Sequence, residues 1–77
     1  MREVKIGEKY LHFKGHIYEV ICIGKNVDDL SYEVVYKNVE NNEIWIRNKE
    51  EFLSEVDHKK NPDVKQKYRF ELVKGDN

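Results

Sequence analysis

The sequence predicts a mainly β domain: a small five-stranded antiparallel barrel with one short helix before the last strand. Three observations lead there. Apolar and polar residues alternate with a period of two over several short stretches, as half-buried strands do. Gly, Asn and Asp turn signals separate these stretches, with no βαβ pattern that a parallel sheet would need. Finally, 77 residues make one domain with a thin core, so short strands must close on one another to hide their edges and enclose it.

Residues 1–7 read as a mixed lead-in. From Lys9 to Lys14 the first strand places Leu11 and Phe13 on one face and Tyr10, His12 and Lys14 on the other. Gly15-His16 turns the chain, because glycine accepts positive φ without steric cost. The second strand, Ile17 to Gly24, is apolar on both faces and interrupted only by Glu19. Tyr18, Val20 and Cys22 line one side; Ile17, Ile21 and Ile23 line the other. Such a strand belongs at the centre of a sheet and is expected to be its most buried element.

Residues 25–30 form a polar connection rich in Asn and Asp. The third strand, Ser31 to Asn38, sets Tyr32, Val34 and Tyr36 against Glu33, Val35 and Lys37. Glu40-Asn41-Asn42 makes the next turn, since Asn tolerates the left-handed conformation. Glu43 to Arg47 is the fourth strand, with Ile44 and Ile46 opposed to Trp45 and Arg47. There the period changes. Asn48 is placed to cap a helix with Glu51 in the third position, and Phe52, Leu53 and Val56 form one apolar stripe. The predicted helix runs over 49–56 and a flexible loop over 57–66. Lys67 to Val73 closes the fold, and 74–77 are a frayed end. An SH3-like barrel is the economical arrangement of these elements; an open meander with the helix across one face is the alternative.

The net charge of −1 argues against a nucleic-acid partner on its own, but the charge is unevenly spread. Residues 1–25 carry +2, residues 26–57 carry −6 and residues 58–77 carry +3. A single cysteine excludes an internal disulfide, the N-terminus lacks a signal-peptide run, and no apolar stretch approaches the ~18 residues of a membrane span. The expected setting is cytoplasmic, with no membrane contact. No feature speaks to the oligomeric state.

No catalytic or metal constellation emerges. Cys22 lies in the most apolar strand, where a thiol is inert. His12 and His16 flank one turn but find no third ligand, and zinc takes three or four. His58 falls in the loop. An enzyme is therefore not expected, and no cofactor is implied. The better case is a binding face: Tyr10, His12 and Lys14 form a row that meets Trp45, Arg47 or Arg69 if their strands are neighbours. Aromatic rings stack on bases or proline, and Arg or Lys holds a carboxylate or phosphate. The expected function is a non-catalytic module for a protein or peptide partner. The alternative is a nucleic-acid- or nucleotide-binding barrel. The purely structural reading, in which the aromatics only fill the core, is preferred for Tyr18 and Phe52.

In order along the chain, Tyr10, His12-Phe13-Lys14-Gly15, Tyr18, Val20, Val34-Val35-Tyr36, Trp45-Ile46-Arg47, Phe52 and Arg69-Phe70 resemble the bacterial domain-of-unknown-function family 1653. The resemblance covers about Gly7 to Val73. It implies a compact SH3-like β domain and no transferable activity. Members of that family typically carry a His-Ser-Glu-Thr run after the second strand, where this chain has Asn26-Val27-Asp28-Asp29. A turn glycine is replaced by Asn41-Asn42, and a proline by Asn48. Whether the Asn26–Asp29 loop serves a function is left open by these departures.

Overall fold

Lys9–His12 (β1), Ile17–Lys25 (β2), Tyr32–Asn38 (β3), Ile44–Asn48 (β4) and Phe70–Leu72 (β5) form one antiparallel sheet in the order β4-β3-β2-β1-β5. A single helical turn, Lys49–Phe52 (α1), precedes the last strand. The computed structural model describes residues 2–74. Strand count, antiparallel pairing and helix position match the prediction. The expected frayed end lies largely outside the described residues.

One face of the sheet holds the core: Tyr10, Val20, Val34, Tyr36 and Phe70, closed over by Phe52 from α1. Phe52 stacks on Phe70 with centroids 4.1 Å apart and meets Tyr10 and Tyr36 edge-on at 5.3 and 5.5 Å. Such aromatic pairs contribute about 0.5–1.5 kcal/mol each beyond the area they bury. With few aliphatic side chains fully buried, rings carry most of the core.

β1 divides into the two faces predicted, and the face carrying Tyr10 and His12, proposed as a binding row, is the inner one. Tyr10 is only 2% exposed and stands opposite Tyr18 and Leu72, while Leu11 is on the outer face. Both faces carry bulky residues, so alternation alone leaves their assignment undetermined. Tyr10 takes the inner place because its hydroxyl finds a partner there: it accepts the Lys5 backbone N–H at 2.9 Å. That bond also fastens the lead-in. Arg2 assists by donating to the carbonyls of Leu53 and Phe70, with its guanidinium 3.9 Å over the Tyr68 ring. β1 ends at His12, so Lys14 sits in the turn, where Gly15 adopts φ +100°.

β2 is central but is not the most buried strand. Only Val20 is fully buried in it, against Val34, Tyr36 and Asn38 in β3. A bulge explains the difference. Val20 pairs with Tyr36 and Cys22 with Val35, leaving Ile21 as the extra residue. Beyond the bulge the phase changes, and Ile23 rather than Cys22 lies on the inner face opposite Val34. Ile21 and Cys22 are exposed, so the thiol predicted to be buried is not.

Asn48 caps α1 as expected, its Oδ1 accepting the N–H groups of Glu50 and Glu51 at 2.9 and 3.4 Å. The helix stops at Phe52 rather than Val56 because the next residues pair with a distant segment. Glu55 bridges Tyr68, and the Val56 N–H donates to the Lys67 carbonyl at 2.9 Å. Segment 57–66 begins in a turn organised by Asp57, whose Oδ1 accepts the N–H of Lys59 at 3.1 Å. It returns at Gln66, whose side-chain amide donates to the Leu11 carbonyl at 2.8 Å.

Candidate functional site

The inner face extends past the core into an open cleft of about 210 Å³. Its walls are His12 from β1, Tyr18 from β2, Tyr36 from β3, Trp45 and Arg47 from β4, and Phe70 from β5. Every strand contributes, so the sheet must curl to bring β1 and β4 to one opening. Lys14 and His16, both on the β1–β2 turn, stand at the same opening.

Four of the six predicted residues meet here: His12, Lys14, Trp45 and Arg47. Two do not. Tyr10 is in the core, one pleat further along β1. Arg69 precedes the inward-facing Phe70 and is directed elsewhere, its Nε donating to Ser54 Oγ at 2.9 Å. His16, Tyr18, Tyr36 and Phe70 were not among the predicted site residues. For Tyr18, Tyr36 and Phe70 the signal is the spacing of aromatics on alternate positions, a pattern that core packing also produces and that is assigned to the core for Tyr18; Tyr36 and Phe70 serve both, as buried core rings that form the cleft floor.

The rings pack mainly edge to face. Tyr18 meets Tyr36 at 5.1 Å and Phe70 at 5.9 Å, and His12 meets Phe70 at 4.8 Å. Arg47 is held along this surface, its Nε donating to the Tyr36 hydroxyl at 3.3 Å and its guanidinium 5.9 Å from the Phe70 centroid. One terminal nitrogen lies 4.0 Å from Glu51 in the first turn of α1. An exposed pair at that separation adds little.

His12 carries the clearest electrostatic signature. Burial, followed by the nearby charges of Arg47, Lys14 and Arg69, lowers its pKa from 6.5 to about 4. Its Nδ1 accepts the Lys14 backbone N–H at 3.2 Å, so the neutral ring carries its proton on Nε2. Burial also pushes the Tyr18 phenol up. The cleft thus offers neutral N–H and O–H groups in an electropositive, aromatic setting. His16 Nδ1 lies 4.0 Å from Glu40 at the exposed rim.

A larger groove of about 650 Å³ runs beside the start of α1, with Tyr32 and Leu53 among its walls. Arg2 and Lys49 there are matched by Glu3 and Glu50, and it gathers none of the predicted residues. In the 26–30 connection, Asp29 accepts the N–H and Oγ–H of Ser31, which lowers its pKa, and Asn26 accepts the Asp28 N–H at 2.8 Å. These side chains build the turn. Among the described residues, no group of three or more His, Cys, Asp or Glu converges on a possible metal position. No helix there is long and apolar enough to cross a membrane.

A family model described as a protein of unknown function (DUF1653) matches residues 8–72. No curated protein and no solved structure matches the chain.

Proposed function

The chain belongs to the DUF1653 family of proteins of unknown function, and from its cleft we propose a non-catalytic binding module that recognises an extended peptide by an acidic group. The carrying observation is the convergence of His12, Lys14, Trp45 and Arg47 over the floor made by Tyr18, Tyr36 and Phe70. Of the side chains that line the cleft, the charged ones are Lys14 and Arg47, both cations, so an incoming carboxylate is favoured there. The aromatic floor takes the apolar stem of the same residue.

Size favours a peptide side chain or chain end over a nucleotide. At about 210 Å³ the cleft is smaller than the roughly 300 Å³ at which small-molecule pockets begin. A base, sugar and phosphate together would overfill it. The net charge of −1 also disfavours a polyanion, which any nucleic acid would be. The SH3-like comparison is proposed on the strand order and the helix before the last strand. A cytoplasmic setting in a bacterium is proposed with it, in keeping with the exposed free thiol of Cys22, which a reducing compartment preserves.

Trp45 is the sole tryptophan and half exposed, so its emission reports on the site. Titration with a glutamate-containing peptide is expected to shift that emission, and the same peptide with glutamine is expected to bind at least tenfold more weakly. Arg47→Gln should cost a similar factor, because a charge-assisted hydrogen bond is worth about 1.5–3 kcal/mol. Equal binding of both peptides would show that the cations do not select the ligand. A single-stranded oligonucleotide that binds more tightly than the peptide, with a steep salt dependence, would replace the peptide reading.

A further inference from the structure

We propose that two copies of this chain associate through the outer edge of β4, making one continuous sheet across a two-fold axis. This goes beyond the cleft's ligand; it draws on Trp45 and Arg47 of the same cleft, and its test by protomer mass is read without any peptide.

Among the described residues β4 is an edge strand, hydrogen-bonded to β3 on one side only. The backbone parity of its open side follows from the ladder. The Asn38 N–H donates to the Glu43 carbonyl at 2.9 Å, and the register then pairs Tyr36 with Trp45 and Val34 with Arg47. Those residues direct their peptide groups toward β3, so Ile44 and Ile46 direct theirs outward. Natural edges are blunted by lysine, proline, a bulge or a covering segment. This one is apolar over Ile44-Trp45-Ile46, with the three residues 60%, 49% and 64% exposed, and the charge it carries, Arg47, comes after them and faces the cleft.

The side chains match a second copy. With the two-fold axis at Trp45, antiparallel pairing sets Ile44 against Ile46 of the partner, Trp45 against Trp45 and Glu43 against Arg47. The outward groups of Ile44 and Ile46 fall in the hydrogen-bonded positions of the new ladder. Glu43, Trp45 and Arg47 fall in the closer non-hydrogen-bonded ones, where cross-strand pairs interact best. The charges are complementary at both ends, as an isologous contact demands. On the outer face the isoleucines join Val35, paired with Ile46, and continue toward the exposed Ile21. On the inner face the clefts of the two copies open side by side, each with a Trp45 wall.

Sedimentation equilibrium of the full chain across the micromolar to millimolar range tests this. The wild type is expected to approach twice the 9.3 kDa protomer mass. Ile46→Lys and Glu43→Arg alter exposed side chains, and amide dispersion checks that each variant is folded. Both should remain at protomer mass at concentrations where the wild type pairs. Glu43→Arg combined with Arg47→Glu restores the complementary pair and should restore association. Protomer mass for the wild type throughout, growth beyond two copies, or undiminished pairing in both folded single variants overturns the proposal. Protection of the Ile44 and Ile46 amides only when a peptide is added would assign the edge to that peptide and overturn it equally.

Discussion

His12 should make the domain less stable as the pH falls from 6.5 to 4, and the size of that loss can be worked from its surroundings. The unfolded ring takes up a proton near pH 6.5, whereas the folded ring, held down by burial and then by Arg47, Lys14 and Arg69, resists until about pH 4. Between those values the unfolded state binds more protons, so stability decreases as pH drops, and below about pH 4 the difference stays constant. At 1.36 kcal/mol per pH unit the full gap corresponds to about 3 kcal/mol. The ring is only partly buried, and solvent screening reduces the expected loss to about 1–2 kcal/mol. Urea unfolding of the wild type and of His12→Gln at pH 7 and pH 4 isolates this term, because the carboxylates titrate in both. The wild type should lose about 1–2 kcal/mol more than the variant. Equal losses, together with a His12 NMR titration centred near 6.5, would refute the electropositive, desolvated cleft.

Other sites test the fold that shapes the cleft. Phe52→Ala removes a fully buried ring stacked on Phe70 and should cost about 3–5 kcal/mol. A domain of this size has a total of roughly 4–12 kcal/mol, so a large unfolded fraction by circular dichroism is expected, and a change below about 1 kcal/mol would contradict the packing. Gly15→Ala meets no neighbouring atom but forces an L side chain to φ +100°. It should destabilise by about 1 kcal/mol or more through the backbone alone, and thermal melting that is unchanged would rule out the left-handed turn.

The period of each segment was readable in the chain, and so were the turns, because alternation and turn chemistry are local. The cap at Asn48 was readable for the same reason. What was not readable depended on partners distant in sequence. Tyr10 went to the core because Phe52, far along the chain, packs against its ring there. The bulge at Ile21 depends on how β2 meets β3, and it reversed the expected burial of Cys22. The helix ended early because residues 55 and 56 pair with 68 and 67. Half of the cleft was legible, in His12, Lys14, Trp45 and Arg47, as residues out of place in a simple core. Its floor was not, since Tyr36 and Phe70 are also core residues and their sequence pattern is that of packing.

The central claim is that the cleft holds an acidic peptide group, and amide chemical-shift mapping with a glutamate-containing peptide tests it most directly. The predicted result is a cluster of shifts at His12, Lys14, Tyr18, Tyr36 and Arg47 with the Trp45 indole, reduced when glutamine replaces the glutamate. Shifts confined to Tyr32 and Lys49 in the larger groove, or to Asp28 and Asp29, would contradict it.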